Sequence, residues 1–76
     1  MNKRRRQELD RQVAKLNNVI DALNDCMDEE QDAFDNLPES LQFSDKGAAM
    51  EDAIDSLASA ISSVEDAITS IEEAQQ

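Results

Sequence analysis

Apolar residues in the first half of the chain recur at alternating intervals of four and three positions. The series is Leu9, Val13, Leu16, Ile20, Leu23, Met27 and Phe34. This spacing is the period of one face of an α-helix, and in heptad notation it places Val13 at position a and Leu16 at position d. Glu30 interrupts it at a d position, and three residues widen the stripe at position g: Val19, Cys26 and Ala33. The pattern predicts helix 1 over about residues 2–35.

The second half of the chain repeats the heptad more strictly. Its a positions hold Ile54, Ile61 and Ile68, and its d positions hold Met50, Leu57, Val64 and Ile71. The g positions from residue 53 onward are all alanine: Ala53, Ala60, Ala67 and Ala74. A seven-residue period favours left-handed, coiled-coil-like packing. The pattern predicts helix 2 over about residues 45–75.

The segment DNLPESLQFSDKG between the two repeats contains the turn residues. Pro38 disfavours helical backbone at the residue before it, which predicts the end of helix 1. Ser44 or Asp45 is the expected N-cap of helix 2, because a side-chain oxygen there accepts a backbone N–H bond. We expect Leu41 and Phe43, within the interhelical loop 36–44, to fold over the end of the helices.

The expected fold class is all-α: one domain of residues 1–76, folded as an antiparallel two-helix coiled-coil hairpin with a basic overhang at residues 1–8. Below about 70–80 residues a lone core is marginal, and a stripe three positions wide fits helices that touch two neighbours. We therefore expect a homodimer that forms a four-helix bundle, the rival being a partner protein that supplies the missing helices. The expected oligomer interface comprises Val13, Leu16, Ile20, Leu23, Met27, Phe34, Met50, Ile54, Leu57, Ile61, Val64, Ile68 and Ile71.

Charge divides unevenly along the chain. Residues 1–15 carry six basic and two acidic side chains, whereas residues 16–76 carry one basic and sixteen acidic ones. The net charge of the whole chain is -11. In an antiparallel hairpin, Lys3–Arg6 would lie near Glu72 and Glu73 at the negative end of helix 2. These cations either match that charge or bind an anion. Nucleic acid is not the expected partner, because the net charge repels phosphate.

Carboxylates are concentrated near the predicted loop, and we call this group the acidic end. Such a surface is commonly only solvated. It is also a candidate site for a basic host protein. Because helical carboxylates three or four positions apart lie about 5–6 Å from one another, it can alternatively imitate the phosphates of a nucleic acid. The acidic end comprises Asp25, Asp28, Glu29, Asp32, Asp35, Glu51, Asp52 and Asp55.

The composition lacks most of the residue types that catalysis and metal binding use. The chain has no histidine and one cysteine, so it has no ordinary neutral-pH base, imidazole ligand or thiolate cluster. The longest uncharged stretch, 56–64, has nine residues, far short of the roughly 20 that span a membrane. We expect no enzyme activity, cofactor, metal or membrane partner. The basic start lacks a following apolar run, which predicts a cytoplasmic protein without a secretory signal.

Residues Asp35 to Gln42, Gly47 and Met50 to Leu57 resemble a family of small acidic proteins from phages, prophages and mobile elements of Firmicutes. In that family a DNLPESLQ-like turn precedes a glycine and repeated heptads, whereas Phe43 and the serine-rich outer face of helix 2 depart from its pattern. The resemblance implies a helical hairpin from a mobile element, without an assigned activity. The resulting hypothesis is a non-enzymatic, self-associating protein that binds, and in a phage inhibits, a host protein. The alternative is an acidic mimic that blocks a DNA- or RNA-binding enzyme.

Overall fold

Three helices account for nearly the whole chain in the computed structural model, which describes all 76 residues. Helix α1 spans Lys3–Asp35, α2 spans Glu39–Gln42 and α3 spans Asp45–Ala74. The two predicted long helices are confirmed to within one residue at each end. The predicted loop differs, because it contains the short helix α2.

Side chains before each long helix satisfy the N–H groups that a first helical turn leaves unpaired. The Asn2 side chain accepts a hydrogen bond from the Arg5 N–H at 2.9 Å at the start of α1. The Ser44 hydroxyl accepts one from the Gly47 N–H at 3.5 Å at the start of α3, so the Ser44 alternative for the N-cap is confirmed. Helix α1 ends three residues before Pro38, as predicted.

Helices α1 and α3 pack along each other as a hairpin. The molecule measures 58 × 15 × 11 Å. Because 33 residues of α-helix are about 50 Å long, two such helices fit this envelope only side by side. The connection of residues 36–44 lies at one end, so the two helices run antiparallel. The hairpin is therefore one layer of two helices.

Burial follows the predicted heptads closely but is shallow. The predicted interface residues are half-buried on both helices, and Ile61, at 8% exposure, is the only apolar residue that is buried. Glu30, which interrupts the stripe, is also half-buried. Cys26, one of the g-position residues that widen the stripe, is exposed. A hairpin covers its a and d positions from one side only.

The predicted packing of the loop apolar residues is wrong for Phe43, which is 85% exposed, while Leu41 is 42% exposed. The reason is the helical turn of α2, which directs the residue between them inward. The side-chain amide of Gln42 donates a hydrogen bond to the Phe34 carbonyl at 3.1 Å. Leu37, in the same connection, is half-buried.

Neither long helix includes a stretch apolar enough for a bilayer crossing.

Candidate functional site

A shallow groove between the long helices shows which flanks share a side of the hairpin. Its lining residues are Gln31, Phe34, Glu51, Ile54 and Asp55. Gln31 and Glu51 both occupy heptad position e, so the e flanks of the two helices lie on one side. The g flanks, on the opposite edge of each stripe, therefore share the other side. The hairpin has two different broad faces.

One face, formed by positions e and b, is uniformly negative; we call it the acidic face. From residue 7 onward it carries eight carboxylates and no basic side chain, and all eight are exposed. No ion pair neutralises any of them, because the only salt bridge in the molecule joins Arg11 to Glu8 at 2.8 Å. The eight residues are Asp10, Asp21, Asp28, Asp35, Glu51, Asp55, Glu65 and Glu72.

The opposite face, formed by positions g and c, carries mostly small side chains and has equal numbers of acidic and basic residues; we call it the neutral face. From residue 7 onward its charged residues are two acidic and two basic: Glu8, Lys15, Glu29 and Lys46. Val19, 43% exposed, is its largest apolar side chain. Its remaining positions, nearly all exposed, are Gln12, Ala22, Cys26, Ala33, Ala49, Ala53, Ser56, Ala60, Ser63, Ala67, Ser70 and Ala74.

The predicted acidic end is fully exposed but is not one face. Asp28, Asp35, Glu51 and Asp55 belong to the acidic face. Asp25, Asp32 and Asp52 occupy the outward f positions, and Glu29 occupies a c position on the neutral face. The carboxylates thus surround the loop end of the hairpin on several sides.

The basic overhang makes no direct ion pair with the end of α3. Lys3–Arg6 are exposed, and none of them contacts Glu72 or Glu73 as a salt bridge. The register explains this, because residues 31–34 of α1 line the groove together with residues 51–55 of α3, so that the numbers of residues at the same level sum to about 85. The last residues of α3 therefore lie level with the second and third turns of α1, and the overhang extends past them.

No three side chains of the metal-binding types come together as a metal site. The carboxylates of the acidic face and of the acidic end are exposed to solvent. Every side-chain polar atom that is buried has a hydrogen-bond partner. A second shallow depression, at the start of α1, is lined by Asn2, Arg4, Arg5 and Glu8.

The apolar periodicity did not indicate the structural roles of two residues, Gly47 and Gln42. Gly47 is buried where the end of α2 meets α3, and Gln42 ties α2 to the end of α1. The available signal was that Gly47 is the only glycine in the chain and occupies an a position of the α3 heptad. A glycine in a packed stripe often marks close backbone approach.

Comparison with models of known protein families, with curated proteins and with solved structures finds no match for this chain.

Proposed function

We propose that this chain is a non-enzymatic helical hairpin that self-associates into a four-helix bundle and acts by binding another protein. The observation that carries the proposal is the shallow burial of the heptad stripe. Only Ile61 is buried among the thirteen predicted interface residues. Full burial of an apolar side chain contributes about 1.5–3 kcal/mol. Half-buried side chains gain only part of this free energy, and a second copy that covers them would supply the rest.

Surface area supports the same proposal. The accessible surface of the single chain is 5484 Å². A compact monomer of this mass, 8.5 kDa, is expected to expose about 4,650 Å². The excess, about 800 Å², is the area that one partner contributes to a standard protein interface.

Sedimentation equilibrium over a micromolar concentration series tests self-association. We expect a mass near twice the 8.5 kDa of one chain. Leu57→Asp places a charge in the stripe and should yield monomers that lose most of their helical circular dichroism. The matched control is Ser59→Asp, at an exposed f position of the same helix, which should leave both readings unchanged. A native chain that melts cooperatively as a monomer throughout the series would overturn the proposal.

The proposed biological role is that of a phage- or prophage-encoded protein that binds, and thereby inhibits, a basic host protein. The resemblance of the Asp35–Gln42 turn and the following heptads supports a mobile-element origin. The exposed carboxylates support a basic partner by charge complementarity. Affinity capture from host lysate with salt-graded elution tests this role, and retention of a defined protein that elutes sharply with salt is expected.

The second candidate is an acidic mimic of a nucleic-acid backbone that blocks a DNA- or RNA-binding enzyme. The specific observation in its favour is that the eight carboxylates of the acidic face have no cationic partner. Captured protein should then be released by added DNA. Replacing Asp28, Asp32 and Asp35 together by Asn should abolish capture. Neutralising Glu8, Asp66 and Glu73 removes the same charge outside the acidic face and the acidic end, and should spare capture. Capture that neither added DNA nor the replacement of Asp28, Asp32 and Asp35 weakens would exclude mimicry.

A further inference from the structure

We propose that a second copy of the chain docks on the neutral face, with its hairpin antiparallel to the first, so that the basic overhang of each copy lies beside the acidic end of the other. This inference rests on the proposed self-association. It adds the face through which the copies meet and their relative direction.

The distribution of charge selects the face. Each copy has a net charge of -11, so two copies repel unless the contact avoids most of that charge. Contact through the acidic faces would confront eight unpaired carboxylates with eight more. Contact through the neutral faces confronts surfaces whose four charged residues sum to zero. Like charges brought together at an interface cost several kcal/mol, which leaves the neutral face as the approach.

The size of the side chains on the neutral face suits a helix partner. Its centre is formed by small residues, including Cys26, Ala60 and Ala67. Small side chains let a neighbouring helix approach near the short end of the usual interaxial distance of about 8–10 Å. At that distance the partner also covers the half-buried d positions, which border position g. Val19, 43% exposed in the single chain, then becomes buried.

The unpaired cations select the direction. Lys3–Arg6 extend beyond α3 and make no salt bridge within their own chain. The acidic end lies at the opposite end of the same hairpin. If two hairpins stack in the same direction, each overhang meets the other overhang and each acidic end meets the other acidic end. If they stack antiparallel, both positive overhangs lie beside negative surfaces.

A matched pair of variants tests the face. Ala67→Glu introduces a carboxylate at an exposed g position on the neutral face, and Ala58→Glu introduces the same side chain at an exposed e position of the same helix on the acidic face. Dissociation constants come from sedimentation equilibrium. We expect Ala67→Glu to raise the dimer dissociation constant at least tenfold and Ala58→Glu to change it less than threefold.

Distance measurement between single spin labels tests the direction. Cys26, the only cysteine, is replaced by Ser, and the label is attached at Phe43→Cys, a position 85% exposed in the native chain. Antiparallel copies place the two labels at opposite ends of a molecule 58 Å long. Parallel copies place them on adjacent hairpin ends, within about 20 Å, because neighbouring helices lie about 8–10 Å apart.

The possible results separate this inference from the proposal beneath it. A native chain that stays monomeric overturns self-association itself. A dimer that tolerates Ala67→Glu but is lost with Ala58→Glu retains self-association and overturns the neutral face as its site. A dimer with a label separation near 20 Å overturns the antiparallel direction. Loss with Ala67→Glu alone, combined with a separation near the length of the hairpin, supports the inference.

Discussion

Gly47 lies directly against the backbone of Gln42, where α2 folds back onto the first turn of α3. A β-carbon at residue 47 would lie 2.6 Å from the Gln42 carbonyl carbon and 2.7 Å from the Leu41 carbonyl oxygen. Real β-carbons do not approach other heavy atoms so closely. The path of the connection between the long helices therefore depends on a hydrogen atom at this one position.

Gly47→Ala is expected to destabilise the protein by about 1–3 kcal/mol, the usual cost of forcing extra volume into a packed site. The sign is informative, because helix propensity alone predicts a gain of about 1 kcal/mol for the same change inside a helix. Urea unfolding followed by circular dichroism measures it. Ala48→Gly, at the next and exposed position, isolates propensity. A stabilised Gly47→Ala would contradict the close approach of the two backbones.

Gln42 holds the same connection from the other side. Its side-chain amide donates to the Phe34 carbonyl, which lies in the last turn of α1. Gln42→Met keeps the length of the side chain and removes the donor, so we expect a loss of about 1 kcal/mol. Gln42→Glu should cost more, because it adds a negative charge at the negative end of α1. Equal stability of all three chains would show that this hydrogen bond contributes nothing.

The long helices could be predicted from sequence because every apolar residue of the stripe obeys one period, and the half-burial of positions a and d follows from it. Ser44 was recognisable because capping is local chemistry. The position of the turn followed from Pro38 and Ser44, but the short helix α2 within it did not, because no periodicity marks the close approach of Gly47 to the Gln42 backbone. Phe43 was assigned to the hairpin end on hydrophobicity alone, whereas the inward direction of Gln42 turns it to solvent.

The two faces were also only partly visible in the sequence. Heptad positions show that alanines flank one side of the α3 stripe, but the partner flank on α1 is fixed only by the direction of packing. Once Gln31 and Glu51 are found in one groove, the assignment of all e and g positions follows. The overhang at residues 1–8 was expected from the length of the connection, but the pattern of charges does not show that Lys3–Arg6 make no ion pair with Glu72 or Glu73.

Substitution of Ile61 and Leu57 distinguishes an isolated hairpin from an assembled one. Ile61 is buried in the single chain, whereas Leu57, at a d position that borders the neutral face, is half-buried. In an isolated hairpin Ile61→Ala should therefore cost clearly more than Leu57→Ala. In a dimer that meets through the neutral face Leu57 is covered as well, and each change should cost about 2–5 kcal/mol. We expect the two losses, measured by denaturant unfolding at a concentration where the chain is dimeric, to agree within about 1 kcal/mol.

Glu30 provides the last prediction, because it occupies a d position and is half-buried between the apolar positions of Met27 and Phe34. Glu30→Leu restores the stripe and, at half of the usual burial energy of a leucine, should stabilise the protein by about 1 kcal/mol. Glu65→Leu, at an exposed e position, is the control and should stay within about 0.5 kcal/mol. A polar residue in a stripe can instead fix register at a cost in stability. In that case Glu30→Leu gains stability while sedimentation velocity shows several oligomers in place of one; a destabilised variant would contradict both roles.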